Sequence, residues 1–158
     1  MRKYKCTISY DGTNFYGYQI QPNKRTVQGE IEKVLTRMHK GKDIRIYSSG
    51  RTDTGVHAKG QVIHFTSDLE IPEANWKKAL NAQLPEDLYV HLVEAVDDSF
   101  HARFSATAKE YRYFILLSDE RDVFLRNYRY MTSETFDFEM MEAACKVFVG
   151  TPDFTAFS

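Results

Sequence analysis

Several kinds of residue and segment are scarce in this chain. It has two cysteines, four prolines and one tryptophan among 158 residues, and its formal net charge is −1. Cys6 and Cys145 lie in unrelated segments and match neither a disulfide framework nor a zinc site. No apolar run approaches membrane-spanning length, and the first residues lack the apolar stretch of a signal peptide. We therefore expect a chain outside the membrane, in a reducing cytoplasm.

Hydrophobic residues make up 42% of the chain and aromatic residues 14%, which favours an ordered globular protein over a disordered one. The near-neutral net charge hides an asymmetry. Residues 1–59 hold 12 Lys and Arg against 5 Asp and Glu, whereas residues 60–158 hold 9 against 17. A basic first third could attract phosphates, and solvated charges that are unevenly spread are the alternative.

Alternation and helical spacing predict a first set of elements. Residues 3–10 alternate in polarity with a period of two, which is typical of a half-buried strand. A polar loop over residues 11–25 follows. A helix is then predicted, with Thr26 placed to cap it and Gly41 placed to end it. Its apolar stripe consists of Val27, Ile31, Val34, Leu35 and Met38.

The elements that follow complete a recognisable order. Residues 43–49 and 61–66 are predicted strands, a second helix is predicted between Pro72 and Pro85, and residues 87–96 form another strand. The order β-α-β-β-α-β predicts an α+β fold. It is the ferredoxin-like sandwich, shared by RRM-like modules, in which two helices cover one face of a four-stranded antiparallel sheet.

The pattern then restarts. After a linker that contains HARFSATA, residues 109–117 form a segment that is apolar on both faces, as in a central strand, and residues 137–149 carry helical spacing. We therefore predict two domains. Residues 1–104 form the first, and residues 105–158 form the incomplete beginning of a second, similar half.

The stretch Gly50 to Ala58, GRTDTGVHA, contains side chains that could take part in catalysis. Its glycines allow a tight turn that aims short side chains into a cleft. Arg51 beside Asp53 would favour the ionised carboxylate, by roughly 1–3 pKa units if the charges meet. An ionised Asp can act as a nucleophile or base, and Arg51 could equally hold a phosphate. The alternative is an ordinary hairpin loop with a surface ion pair.

This stretch resembles the signature loop of the TruA family of tRNA pseudouridine synthases. Further matches occur in the same order along the chain: YDGTNFYGYQIQ from Tyr10, RTVQGEIE from Arg25, HARFSATAKEYRY from His101 and GTPDFTAF from Gly150. Two departures are visible. Tyr18 stands where the family usually has Trp, and Thr54 stands where Ala is common. Neither change removes a reacting group.

The resemblance implies the pseudouridine synthase fold and its chemistry. A uridine of the anticodon stem-loop, at tRNA positions 38 to 40, would be flipped out and its base rejoined to the sugar through carbon. Asp53 would be the nucleophile, at the base or at the sugar. Arg51 would hold phosphate or fill the space of the flipped base. The family needs no metal or organic cofactor, and the sequence offers neither a P-loop nor a metal-spaced His/Cys cluster.

The resemblance also assigns substrate contacts. Tyr111 would stack on the target uracil or hydrogen-bond to it, although core packing in a strand is its alternative. Arg103 would contact the RNA backbone, with His101 supporting the turn. A plausible RNA-facing edge, for which a solvated loop is an even alternative, comprises Gln19, Gln21, Lys24 and Arg25; Thr52 joins the substrate-binding set. His57 would order its loop, and His39, His64 and His91 would be structural.

The implied partner is the anticodon arm of tRNA, and the full-length protein would be a homodimer. We expect these 158 residues alone to turn over poorly, because family members carry a second half. One rival is a non-catalytic RNA-binding module of RRM-like fold, although QVIHFT lacks the aromatic consensus of such modules. Another is a small hydrolase that uses Asp53 with His57, and no nucleophile elbow supports it.

Overall fold

A computed structural model describes residues 1–157, which divide into two compact units at Lys109. The first unit contains six regular elements and a short 3-10 turn, Gly12–Asn14. In chain order they are β1 (Arg2–Tyr10), α1 (Val27–Met38), β2 (Tyr47–Ser48), β3 (Ala58–Ser67), α2 (Glu73–Asn81) and β4 (Leu88–Val96). The predicted mixture of helices with an antiparallel sheet is confirmed.

The four strands form one sheet in the order β2-β3-β1-β4, and every neighbouring pair is antiparallel. Side chains that alternate along β1 enter the core, because successive residues of a strand face opposite sides of the sheet. Tyr4 stacks on Phe65 of β3 at 5.6 Å between ring centroids and meets Trp76 of α2 at 5.3 Å. The core thus lies between the sheet and the helices.

Helix α1 begins and ends as its sequence predicts. Oγ1 of Thr26 accepts the backbone N–H of Gly29 at 3.2 Å, which satisfies a donor of the first turn. Gly41 has a φ of 95°, and its N–H donates to the carbonyl of Thr36 at 2.9 Å. A positive φ suits glycine, so the position just after the helix is fixed by backbone geometry.

Strand β2 is much shorter than the predicted 43–49. Ile44 and Ile46 are buried in alternation, but the backbone N–H of Ile46 donates to Oε1 of Glu32 at 3.0 Å. The side chain of Glu32, on α1, therefore accepts the backbone N–H that a longer β2 would have donated to a neighbouring strand. Helix α2 likewise ends at Asn81, short of the predicted Pro85.

The second unit contains β5 (Ile115–Leu117), β6 (Tyr130–Thr132), α3 (Phe138–Lys146) and a 3-10 turn at Thr155–Phe157. The prediction of a continuous strand over residues 109–117 was wrong except for its last three residues. β5 and β6 pair in parallel. The sequence did not predict this pairing, because β6 is too short to show the alternation of polar and apolar residues that is typical of a strand. No described residue of this unit is buried.

None of the helices in residues 1–157 combines the length and the apolar character that a bilayer crossing requires.

Candidate active site

The loop between β2 and β3 carries Asp53 and is held at both ends. The carbonyl of Gly50 accepts hydrogen bonds from Oγ of Ser48, at 2.7 Å, and from the side-chain amide of Gln61. The backbone N–H of Val56 closes a turn by donating to the carbonyl of Asp53 at 3.1 Å. The carboxylate of Asp53 thus projects from a loop whose backbone is ordered on either side of it.

The early polar loop, residues 11–25, supports this loop through close backbone contacts. The N–H of Tyr18 donates to the carbonyl of Thr52 at 2.9 Å, and the N–H of Gly55 donates to that of Phe15 at 3.3 Å. Gly17 has a φ of 79°, and a Cβ there would lie 3.0 Å from the carbonyl oxygen of Thr52. Glycine is therefore required where the two loops meet.

Two tyrosines lie beneath the same loop. The hydroxyl of Tyr10 is 2.8 Å from Oγ1 of Thr52, the residue next to Asp53. Tyr18 is buried, and burial raises the pKa of its hydroxyl above the usual value, with smaller effects from Ser48 and Tyr10. Both hydroxyls stay protonated at ordinary pH. The two ring centroids lie 6.5 Å apart, and the rings pack beneath the loop.

His57 links the two loops at their other end. Its Nδ1 accepts the backbone N–H of Gly12 at 3.0 Å and lies 3.0 Å from Oδ1 of Asp11. These contacts tie His57 to the early loop, as expected of a residue that orders the loop.

Asp53 and Arg51 are both exposed. Among the described residues, no ion pair or hydrogen bond joins the guanidinium of Arg51 to the carboxylate of Asp53. The structure therefore lacks the surface ion pair on which the ordinary-hairpin alternative depends. Both side chains are exposed and so available to another molecule.

The predicted RNA-facing edge divides into two kinds of residue. Arg25 donates from both terminal nitrogens to the carboxylate of Asp87 at 2.7 Å each, and its guanidinium lies 4.1 Å from the ring centroid of Phe15. The hydrogen bonds to Asp87, together with the charge of that carboxylate, raise the pKa of the Arg25 guanidinium above its ordinary value, and burial opposes them with a smaller lowering effect. Gln19 and Gln21 are exposed, and the side-chain amide of Gln21 donates to the carbonyl of Tyr16 at 2.8 Å.

The two remaining predicted residues lie in different units. Arg103 belongs to the first unit and has an exposed side chain with no ion pair among residues 1–157. Tyr111 belongs to the second unit and is 81% exposed, in a segment outside any strand. The alternative reading of Tyr111 as a packed core residue was therefore wrong.

Sequence reasoning missed the residues that support the loop. Gly12, Gly17 and Tyr10 were not assigned to the site, although the motif YDGTNFYGYQ contains all three. The signal was present as two glycines beside aromatic residues, a pattern typical of close backbone approach. Within residues 1–157, no three or more His, Cys, Asp or Glu side chains are grouped as metal ligands.

A comparison with protein families matches residues 7–105 to the tRNA pseudouridine synthase family model, and the chain belongs to that family. Among curated relatives, the chain is 61% identical to tRNA pseudouridine synthase A of Geobacillus sp. (strain WCH70) over 156 residues, 99% of this chain and 63% of that protein. It is 57% identical to the enzymes of that name from Oceanobacillus iheyensis, over 100% of this chain and 62% of that protein, and from Bacillus subtilis (strain 168), over 97% and 62%.

The chain thus spans a little over three fifths of the length of these relatives. The resemblance that the GRTDTGVHA loop indicates is confirmed at the level of the family.

Proposed function

We propose that this protein is an isomerase that converts uridine to pseudouridine in the anticodon stem-loop of tRNA, with Asp53 as the nucleophile. The observation that carries the proposal is the loop of Asp53, which lies in the family match and presents an exposed carboxylate, without an ion pair among residues 1–157, on an ordered backbone. An ordered loop keeps a reacting group in position and so lowers the entropic part of the barrier.

In this reaction the glycosidic bond from N1 of uracil to the sugar breaks, and a bond from C5 of the base to the same sugar carbon forms. The proton at C5 is released to solvent and N1 gains a proton, so the product is an isomer. Asp53 attacks either the base or the sugar carbon, and its carboxylate leaves again when the new bond is complete. The reaction as proposed uses no metal and no organic cofactor.

Other residues would bind the substrate. Arg51 would hold phosphate or fill the place of the flipped base, since its planar guanidinium is exposed. Tyr111 would stack on the uracil, for which its 81% exposure leaves a ring face available. Arg103, Gln19 and Gln21 would contact the RNA.

Thr52 and Arg25 would serve the site mainly by positioning. Thr52 is bound to the hydroxyl of Tyr10, and Arg25 is held by Asp87, so each has a protein partner that a direct RNA contact would have to displace. Their support of the two loops is the contribution that we propose.

The ferredoxin-like arrangement, the division at residue 104 and the incomplete second half are part of the same proposal. The strand order β2-β3-β1-β4 supports the first of these. From the family resemblance, we further propose that the full-length protein acts on tRNA in the cytoplasm as a homodimer. Turnover by these 158 residues alone should be low, since the unit that carries Tyr111 buries none of its large apolar side chains.

The test is release of tritium from uridine labelled at C5 in an anticodon stem-loop RNA. Three proteins are compared: this chain, this chain completed with the residues of the Geobacillus relative that lie outside the match, and the completed chain with Asp53→Ala. We expect release only from the completed chain with Asp53 intact. RNA binding without release in the completed chain would instead favour the RRM-like binding module, and strong release by the 158 residues alone would contradict the expected low turnover.

A further inference from the structure

His64 lies on the face of the sheet opposite the core, yet it is only 4% exposed. Its neighbours in β3, Ile63 and Phe65, point into the core, so alternation directs His64 to the other face. That face is covered here by aromatic rings. The imidazole stacks on Tyr47 at 5.1 Å and meets His101 at 4.8 Å between ring centroids.

The buried ring has a specific backbone partner. Nδ1 of His64 accepts the N–H of Ala102 at 3.1 Å, and Ala102 is itself 2% exposed. A nitrogen that accepts a hydrogen bond carries no proton, so the ring is the neutral tautomer with its proton on Nε2. Burial first, and then the nearby His101 and Lys3, lower the pKa of His64 to about 4, which favours this neutral form.

Ala102 belongs to a closed turn, residues 101–105. The N–H of Ser105 donates to the carbonyl of His101 at 2.8 Å, and Oγ of Ser105 accepts the N–H of His101 at 3.1 Å. Nδ1 of His101 also accepts the N–H of Arg103 at 3.2 Å. The turn is thus rigid internally, and the bond from Ala102 to His64 attaches it to the sheet.

The same segment leads to the Asp53 loop. Lys109 follows the turn by four residues, and its Nζ lies 3.5 Å from the position that a Cβ on Gly50 would occupy. Gly50 is the residue before Arg51. The attached turn therefore holds Arg103 in place relative to the sheet, and the segment after it brings the ammonium of Lys109 close to Gly50.

We propose that His64 is a positioning residue for RNA binding, which fixes the 101–105 turn through Ala102 so that Arg103 is presented to a backbone phosphate. The inference rests on the proposed function, because it takes the RNA contact of Arg103 from there. His64 does not touch the RNA. It acts by keeping an acceptor, rather than a donor, beneath the N–H of Ala102.

Two substitutions separate the acceptor from the shape of the ring. His64→Phe keeps an aromatic ring among Tyr47 and His101 but removes the acceptor. His64→Asn places a carbonyl oxygen near the position of Nδ1 and keeps it. His91→Phe is the matched control, since His91 is an exposed histidine of β4 whose Nε2 contacts Oγ of Ser9 at 2.8 Å.

The first readout is hydrogen exchange of the Ala102 amide, which needs no RNA. His64→Phe should speed this exchange by about tenfold or more, whereas His64→Asn and His91→Phe should leave it close to wild type. Equal protection in His64→Phe and wild type, with folding verified by circular dichroism, would overturn the inference at once.

The second readout is affinity for an anticodon stem-loop RNA as a function of salt. His64→Phe should weaken binding by roughly three- to tenfold and lower the slope of log K against log salt by about one, because one phosphate contact is lost, and Arg103→Ala should have the same effect. The double variant that combines His64→Phe with Arg103→Ala should lose no more RNA affinity than either single variant loses. His64→Asn should restore binding.

The outcomes are distinguishable. If His64→Phe binds RNA as tightly as wild type while Arg103→Ala binds it more weakly, the positioning role is overturned and the proposed function stands. If Arg103→Ala binds RNA as tightly as wild type, the inference is overturned as well, because Arg103 then makes no RNA contact that His64 could position. A wild-type chain that does not bind the RNA at all contradicts the proposed function, and the inference falls with it.

Discussion

A Cβ atom placed on Gly12 would lie 2.1 Å from the carbonyl oxygen of Val56, which belongs to the loop that carries Asp53. The backbone N–H of Gly12 also donates to Nδ1 of His57 in that loop. The early loop and the Asp53 loop therefore approach each other more closely than any side chain permits, and the position of Asp53 depends on residues about 40 positions earlier.

Gly12→Ala should destabilise the protein, because neither backbone can move aside without breaking other hydrogen bonds. We expect a loss of about 2 kcal/mol or more in the free energy of unfolding, measured by urea denaturation. Gly60→Ala is the control, since a Cβ on Gly60 meets nothing within 4 Å. Equal stabilities of the two variants would contradict the close approach.

Much of the fold could be predicted from sequence because it depends on local patterns. The apolar stripe of α1, its cap at Thr26 and the glycine at position 41 are all visible within sixteen residues. The length of β2 is not, because Ile46 donates its N–H to Glu32, fourteen residues earlier, and no local pattern encodes that contact.

The site could be predicted in part for the same reason. The motif around Asp53 indicated the family to which the chain belongs. It did not indicate that Arg25 is held by Asp87, 62 residues later, or that His64 binds Ala102. Those contacts join residues that lie far apart in the sequence, so they exist only after the chain has folded and no local pattern encodes them.

The pair of Arg25 and Asp87 should stabilise the first unit through its geometry and not through charge alone. Arg25→Lys keeps the charge but loses the two parallel hydrogen bonds and the stacking on Phe15, so we expect a loss of about 1–2 kcal/mol in the free energy of unfolding. RNA affinity at a fixed salt concentration should change less than twofold. A large drop in affinity with unchanged stability would instead make Arg25 a direct RNA contact.

Stability should depend on pH through His64. Its pKa of about 4 in the folded chain lies below the ordinary value near 6.5, so the unfolded chain takes up a proton between these values while the folded chain does not. The free energy of unfolding should therefore fall as the pH is lowered from about 6.5 to about 4. Urea unfolding of His64→Asn provides the control. Identical pH profiles for wild type and this variant would refute the assignment.

The two cysteines should differ in reactivity. Cys6 is 1% exposed, and burial raises the pKa of its thiol to about 12, whereas Cys145 is exposed on α3. A disulfide reagent such as DTNB should modify one thiol per folded chain and two in denaturant. Folded Cys145→Ser should not react on the same timescale. Rapid reaction of that variant would show that the core around Cys6 opens.

The central claim is that Asp53 performs the chemistry and is not needed for RNA binding. Its most direct test compares Asp53→Asn, which keeps the shape of the side chain, with Thr54→Ala, a neighbouring change that leaves the carboxylate in place. Tritium release and RNA affinity are measured together in the completed chain. We expect Asp53→Asn to bind RNA within about twofold of wild type and to lose at least about 1000-fold in turnover, while Thr54→Ala keeps both. Turnover by Asp53→Asn above about a tenth of wild type would contradict the claim.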